Sequence, residues 1–322
     1  MVTGTLPAPV GESTSAPSDV RGPIPVPVVP IVKDQPRTGP PAPGAAVVAL
    51  AAVMVVSVVV VFFGLFALVL SGLQEQRSQH LLYAQFRGLL DPSSTTAPSI
   101  GGPIPVGTPI ALINSPQAGL HNVVVVEGTS SATLLAGPGH RRNSPLPGQA
   151  GQSVLVGKGI TAGAPFGGIT RLRLGDVVTV RTGQGQFRYR VLGPLVAGSR
   201  LPTIRSDDGL LTLVTSESSG PLGHLAPGHL AYVEARLLGK PVTAPTGAPR
   251  TVSPSEVQGH DEPSAWPLAG LWFLALLAAS AACWWLWSRW GIVQTWIVGA
   301  PILFGLLWGL SNEAMRLLPN VY

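Results

Sequence analysis

The chain has 322 residues, a formal net charge of +5, and 46% hydrophobic against only 11% charged residues. Its basic residues are scattered single arginines with no stripe interleaved with aromatics, which argues against nucleic-acid binding despite a pI near 9.9. The only cysteine, Cys283, lies inside an apolar run; this excludes a disulfide framework and denies thiolate chemistry its exposed, electropositive setting.

Residues 1–43 form a Pro/Gly/Ser/Thr tract with few large side chains, which predicts a disordered cytoplasmic tail, in part polyproline II. Residues 44–73 hold the uncharged run 45–70, long enough to cross a bilayer as a first transmembrane helix. The run exceeds a signal-peptide core and is preceded by a long tail, so it reads as an uncleaved signal anchor. Residues 74–107 read as a juxtamembrane helix over 74–90, continuing that span, and then a linker.

Residues 108–240 carry short β-branched runs separated by turn residues: 122–127 (NVVVVE), 153–156 (SVLV) and 176–181 (DVVTVR). In 187–191 (FRYRV) apolar and basic residues alternate with period two, as in a strand with one solvated face, and Gly183 and Gly185 make a hairpin with the preceding run. Further strands are predicted at 209–214 and 230–235. Several short strands at this spacing predict a closed or nearly closed β-barrel rather than a parallel sheet. At about 140 residues this domain is large enough to bury a core without disulfides.

Residues 241–266 read as a linker back to the membrane, 267–287 as a second span and 291–310 as a third, with Ser288, Arg289 and Trp290 turning between them and 311–322 as a C-terminal tail. Arg289, together with a mild excess of basic residues before the first span, places the N-tail and the hairpin turn inside and residues 74–264 and the C-tail outside. Small residues four apart (Gly305/Gly309, Ala275/Ala279, Ala278/Ala282) predict close packing of the last two spans. No metal or cofactor site is predicted: the histidines are isolated, Asp207-Asp208 reads as a solvated turn, and no Gly-rich phosphate loop follows a strand.

A series of short segments in fixed order gives the middle of the chain its character. These are Val126-Glu127-Gly128-Thr129, Gly137-Pro138-Gly139-His140, Leu146-Pro147-Gly148-Gln149, Gly163-Ala164-Pro165-Phe166, Leu174-Gly175-Asp176, Tyr189-Arg190-Val191 and Leu211-Thr212-Leu213-Val214-Thr215. In this order and spacing the chain resembles the sortase family, the membrane-anchored cysteine transpeptidases of Gram-positive bacteria, in a class E/F-like actinobacterial form. The resemblance implies a mainly β protein, an eight-stranded barrel ectodomain joined to three transmembrane helices.

Family chemistry rests on a histidine in Gly-His-Arg, a cysteine ending Thr-Leu-x-Thr-Cys, and an arginine opening the last strand. These fall on Lys158 (in Gly157-Lys158-Gly159), on Ser216 and on Leu230, with His229 one place before; all three positions depart from the pattern. His140, followed by Arg141 and Arg142, imitates Gly-His-Arg but precedes the Pro-Gly-Gln turn and reads as a loop residue. The resemblance therefore implies a multi-pass cell-membrane protein, degenerate at the catalytic positions, that binds or positions an envelope protein or peptide. On that reading Ser216 ends a strand and Lys158, between two glycines, is solvated and protonated. The alternative is a hydrolase or transpeptidase in which Ser216 is served by Lys158 or by a nearby histidine, His224 or His229.

Overall fold

Short runs of valine, leucine and threonine between glycine turns become the eight strands of a closed barrel in the computed structural model, which describes residues 44–91, 100–195, 208–217, 229–245, 247 and 249–321. The tail at 1–43, Asp207 and His224 lie outside the described residues. The chain divides into two compact units, Met1–Leu50 and Ala51–Tyr322. Of the first, only the opening turns of a helix are described.

The strands are β1 (Pro109–Ser115), β2 (Leu120–Glu127), β3 (Gly139–His140), β4 (Gly151–Val156), β5 (Val177–Thr182), β6 (Gly185–Leu195), β7 (Gly209–Glu217) and β8 (His229–Leu237). Around the barrel they run β1-β2-β3-β4-β7-β8-β6-β5. The hairpin expected at Gly183 and Gly185 joins β5 to β6 with Val180 opposite Phe187. Two pairs, β2 with β3 and β4 with β7, are parallel. Alternate residues along each strand point inward and build the core, among them Val178 and Val180, Tyr189 and Val191, Leu211 and Leu213, Val233 and Ala235. Tyr189 stays polar at one end, its hydroxyl accepting from the Gly148 amide at 2.5 Å. Burial drives its pKa above the ordinary tyrosine value.

His140 is a correction to the sequence reading. It belongs to β3, paired with Glu127 of β2, and is buried rather than placed in a loop. A two-residue strand containing glycine leaves no periodic trace, so only its pairing reveals it.

Among the described residues, three helical stretches are long and apolar enough to cross a membrane. In the first, α1 (Ala45–Leu65) passes through a π-helical segment, Phe66–Leu70, into α2 (Ser71–Leu90). After a one-turn helix, α3 (Ser131–Leu134), the others are α4 (Trp266–Trp290) and α5 (Ile292–Arg316). The π segment is where this helix meets α5: Phe62 sets its ring edge-on to Phe304 (5.7 Å) and Phe66 to Trp308 (5.1 Å). The hairpin between α4 and α5 turns at Gly291 alone, with φ +98°, while Ser288, Arg289 and Trp290 complete the last turn of α4. The expected small-residue packing holds only at some of the named positions, and Ala275 and Ala279 of α4 are half-buried. A Cβ on Gly309 would lie 2.9 Å from the Trp272 ring and one on Gly299 2.8 Å from Cys283 Sγ, whereas Gly305 faces open space. Ala278 and Ala282 are likewise exposed.

Candidate functional site

The parallel pairing of β4 with β7 fixes where the site lies. Val156 stands beside Val214, and the Gly157 amide donates to the Val214 carbonyl at 2.9 Å. Lys158 and Ser216, each two residues beyond that pair, therefore leave the sheet at the same rim. On the other side of β7, Ser216 is in register with Leu230, and Glu217 with His229. The fold thus brings Lys158, Ser216 and Leu230 together although they are widely separated along the chain.

Directly opposed residues share a sheet face and successive residues alternate. Leu230 accordingly shares the face of Ser216, a half-exposed apolar chain where the family pattern has a cation. His229, one residue out of phase, is exposed and directed to the opposite face.

Lys158 overturns the expectation of a solvated side chain. It is 0% exposed and its Nζ has no hydrogen-bond partner. The flanking glycines cause this rather than prevent it. A Cβ on Gly157 would collide with the Phe166 ring, and one on Gly159 with the Ser216 carbonyl, so bare backbone lets those neighbours close in beside the lysine. Burial without a compensating partner disfavours the ammonium and lowers the pKa from 10.5 to about 7.

Ser216 is also buried, and its hydroxyl is already engaged. Its Oγ donates to the carbonyl of Val321 at 2.7 Å. The Gly159 amide donates to the same oxygen at 3.1 Å. Two donors thus converge on one peptide carbonyl that arrives from the far end of the chain. A serine nucleophile needs a base within about 3 Å of its hydroxyl. Lys158 is close in the fold but makes no such bond, so no serine–lysine dyad is formed. Gly159, Asn320 and Val321 were not indicated by sequence, since nothing local ties residue 321 to a strand about 100 positions earlier.

A second polar cluster lies apart from this rim. His140 Nδ1 is 2.8 Å from Glu127 Oε2, while its Nε2 is 3.1 Å from Ser144 Oγ and 3.0 Å from the Pro145 carbonyl. The order Ser144, His140, Glu127 imitates a catalytic triad, and a cavity of about 410 Å³ adjoins it. Ser144 Oγ, however, donates to the Arg141 carbonyl at 2.7 Å and accepts from the Val154 amide at 3.2 Å. The cluster pins β2, β3 and the turn after it to one another. Among the described residues no three His, Cys, Asp or Glu side chains are grouped to hold a metal ion.

Residues 113–220, which lie in the closed barrel, match the family model described as Sortase domain. Among solved structures, sortase E of Streptomyces avermitilis is 29% identical over 42% of this chain and 92% of its own, with a TM-score of 0.35. The sortase D5 transpeptidase of Clostridium perfringens is 22% identical, covering 51% of this chain and 99% of its own, with a TM-score of 0.41. Sortase E1 of Streptomyces coelicolor, solved with a tripeptide in its active site, is 23% identical over 44% and 93%, with a TM-score of 0.34. No curated protein matches the chain.

Proposed function

We propose that this is a membrane-anchored sortase-domain protein of the cell envelope that binds or positions a protein or peptide rather than transferring acyl groups. The observation that carries the reading is the state of the rim: Ser216 Oγ donates to a peptide carbonyl while Lys158 Nζ, the base it would need, bonds to nothing. Leu230 supplies no charge or donor where a tetrahedral oxyanion would need one, a deficit of roughly 3 kcal/mol in transition-state stabilisation. What the rim does supply, a hydroxyl and an amide aimed at one carbonyl, is suited to holding backbone.

The alternative, a hydrolase or transpeptidase using Ser216, is favoured by one observation. A lysine with a pKa of about 7 is half neutral at that pH and able to accept a proton. Incubating the full chain with a sorting-type peptide and measuring the intact mass separates the two. The expected outcome is no covalent adduct. An acyl adduct on Ser216, abolished by both Ser216→Ala and Lys158→Met, would establish the enzyme instead.

A further inference from the structure

We infer that residues 317–321 are a resident ligand of the barrel rim, and that an external peptide enters only by displacing them. The inference rests on the peptide-binding reading above and names the occupant. Beyond the end of α5 at Arg316, the chain turns onto the rim between β4 and β7 and is held there through Asn320 and Val321. Val321 is 3% exposed, its side chain lodged among Leu134, Val156 and Val214. Its carbonyl takes the two hydrogen bonds from Ser216 and Gly159.

Asn320 is 0% exposed and fully read. Its Oδ1 accepts from the Gly259 amide at 2.9 Å, and its Nδ2 donates to the carbonyls of Thr129 (2.8 Å) and Val257 (3.0 Å). Its backbone amide donates to the His260 carbonyl at 3.0 Å. Only a carboxamide meets one donor and two acceptors in this arrangement; a carboxylate would face two carbonyls, and an apolar chain would leave all three partners unpaired.

The pocket has two walls. One is the barrel rim, and the other is the segment before α4, tied to the barrel by Thr129 Oγ1 donating to the Glu256 carbonyl at 2.6 Å. Arg316 pairs with Glu262 at 2.6 Å, fixing the base of the tail to that second wall. The site therefore takes a peptide in a turn conformation with asparagine followed by a β-branched aliphatic residue. Because the tail is tethered, its local concentration is on the order of millimolar, and a free peptide with equal contacts loses to it.

The test uses the full chain in lipid nanodiscs, with amide hydrogen exchange and a fluorescent peptide copying residues 315–322. In the intact chain the Gly159 amide is expected to be protected and the peptide to stay free. Val321→Asp should accelerate Gly159 exchange at least about tenfold while Leu211 and Leu213 keep their protection, because only the rim opens. That variant should bind the peptide, and a peptide carrying Asn320→Asp should bind at least about tenfold more weakly. If Val321→Asp also loses protection in β7, Asn320→Ala decides: faster Gly159 exchange with β7 intact supports the inference, and an unchanged rate overturns it. Equal peptide binding by intact and released chains overturns it too, while leaving the non-catalytic reading in place. An acyl adduct on Ser216 in the released chain has the opposite meaning, ending the non-catalytic reading but supporting the tail as occupant.

Discussion

At the residue scale, the consequential group is Lys158, because its burial ties stability to pH. Its folded pKa of about 7 lies below the unfolded value of 10.5. Between those values the unfolded chain binds more protons, so this residue makes stability rise with pH from about 7 to about 10.5. Below about 7 its full penalty applies, on the order of 5 kcal/mol for a shift of this size. Glu234, a buried carboxyl with no partner whose pKa is raised by desolvation, acts oppositely: its contribution declines as pH rises above 4.5. Lys158→Met should therefore raise the melting temperature of the detergent-solubilised chain at pH 6, with a gain that shrinks as pH approaches 10. A gain independent of pH would show that the lysine is not buried as described. Lys158 and Ser216 were legible in the sequence as positions, by motif, but their environment was not. Two glycines beside a lysine suggest openness, whereas here they permit Phe166 and the Ser216 backbone to pack against it.

At the element scale, the sequence exposed whatever repeats with a period. The alternation in 187–191 and the glycine turn before it marked β5 and β6, and the uncharged runs marked the long helices. Elements defined by tertiary pairing were silent: β3 is two residues, and the parallel β4–β7 ladder joins segments about 60 positions apart. The hairpin of α4 and α5 shows the same limit on a finer grain. Gly305 and Gly309 form one small-residue motif on paper, yet only Gly309 receives a neighbour, the Trp272 ring. Helix association in lipid depends on such close approach because the apolar driving force between helices is absent. Gly309→Leu should lower the thermal stability of the hairpin by roughly 1–3 kcal/mol, the range for overpacking. Gly305→Leu should be within about 0.5 kcal/mol of the parent, as for an uninvolved surface position. Equal effects from the two substitutions, measured by unfolding in detergent, would contradict this packing.

At the scale of the whole molecule, the hairpin constrains sidedness. The Glu262 amide donates to the Arg316 carbonyl at 3.1 Å, so the start of α4 and the end of α5 lie together beside the barrel rim. Each helix has 25 residues, about 37 Å at 1.5 Å per residue, which exceeds a hydrocarbon core of roughly 30 Å. If both span, Arg289 and Gly291 lie on the face of the membrane opposite the barrel. We propose the orientation from charge: Arg289 at the turn favours the cytoplasm, which would leave the barrel outside. On that proposal, a single crossing by the first span would put the N-tail on the side of the turn. In a Cys283→Ser background, a membrane-impermeant thiol reagent should label a cysteine at Leu174, which is 76% exposed on the barrel. The same reagent should leave cysteines at Arg289 and Thr14 unmodified until the membrane is permeabilised. Asn320 is no reporter for this purpose, since the rim buries it completely. Labelling at Arg289 in intact cells would invert the orientation, and labelling at both Leu174 and Arg289 would mean that the hairpin does not span. In that second case the rim would lose its fixed distance from the bilayer, and the tail that α5 delivers to Ser216 would have to be held by the barrel contacts alone.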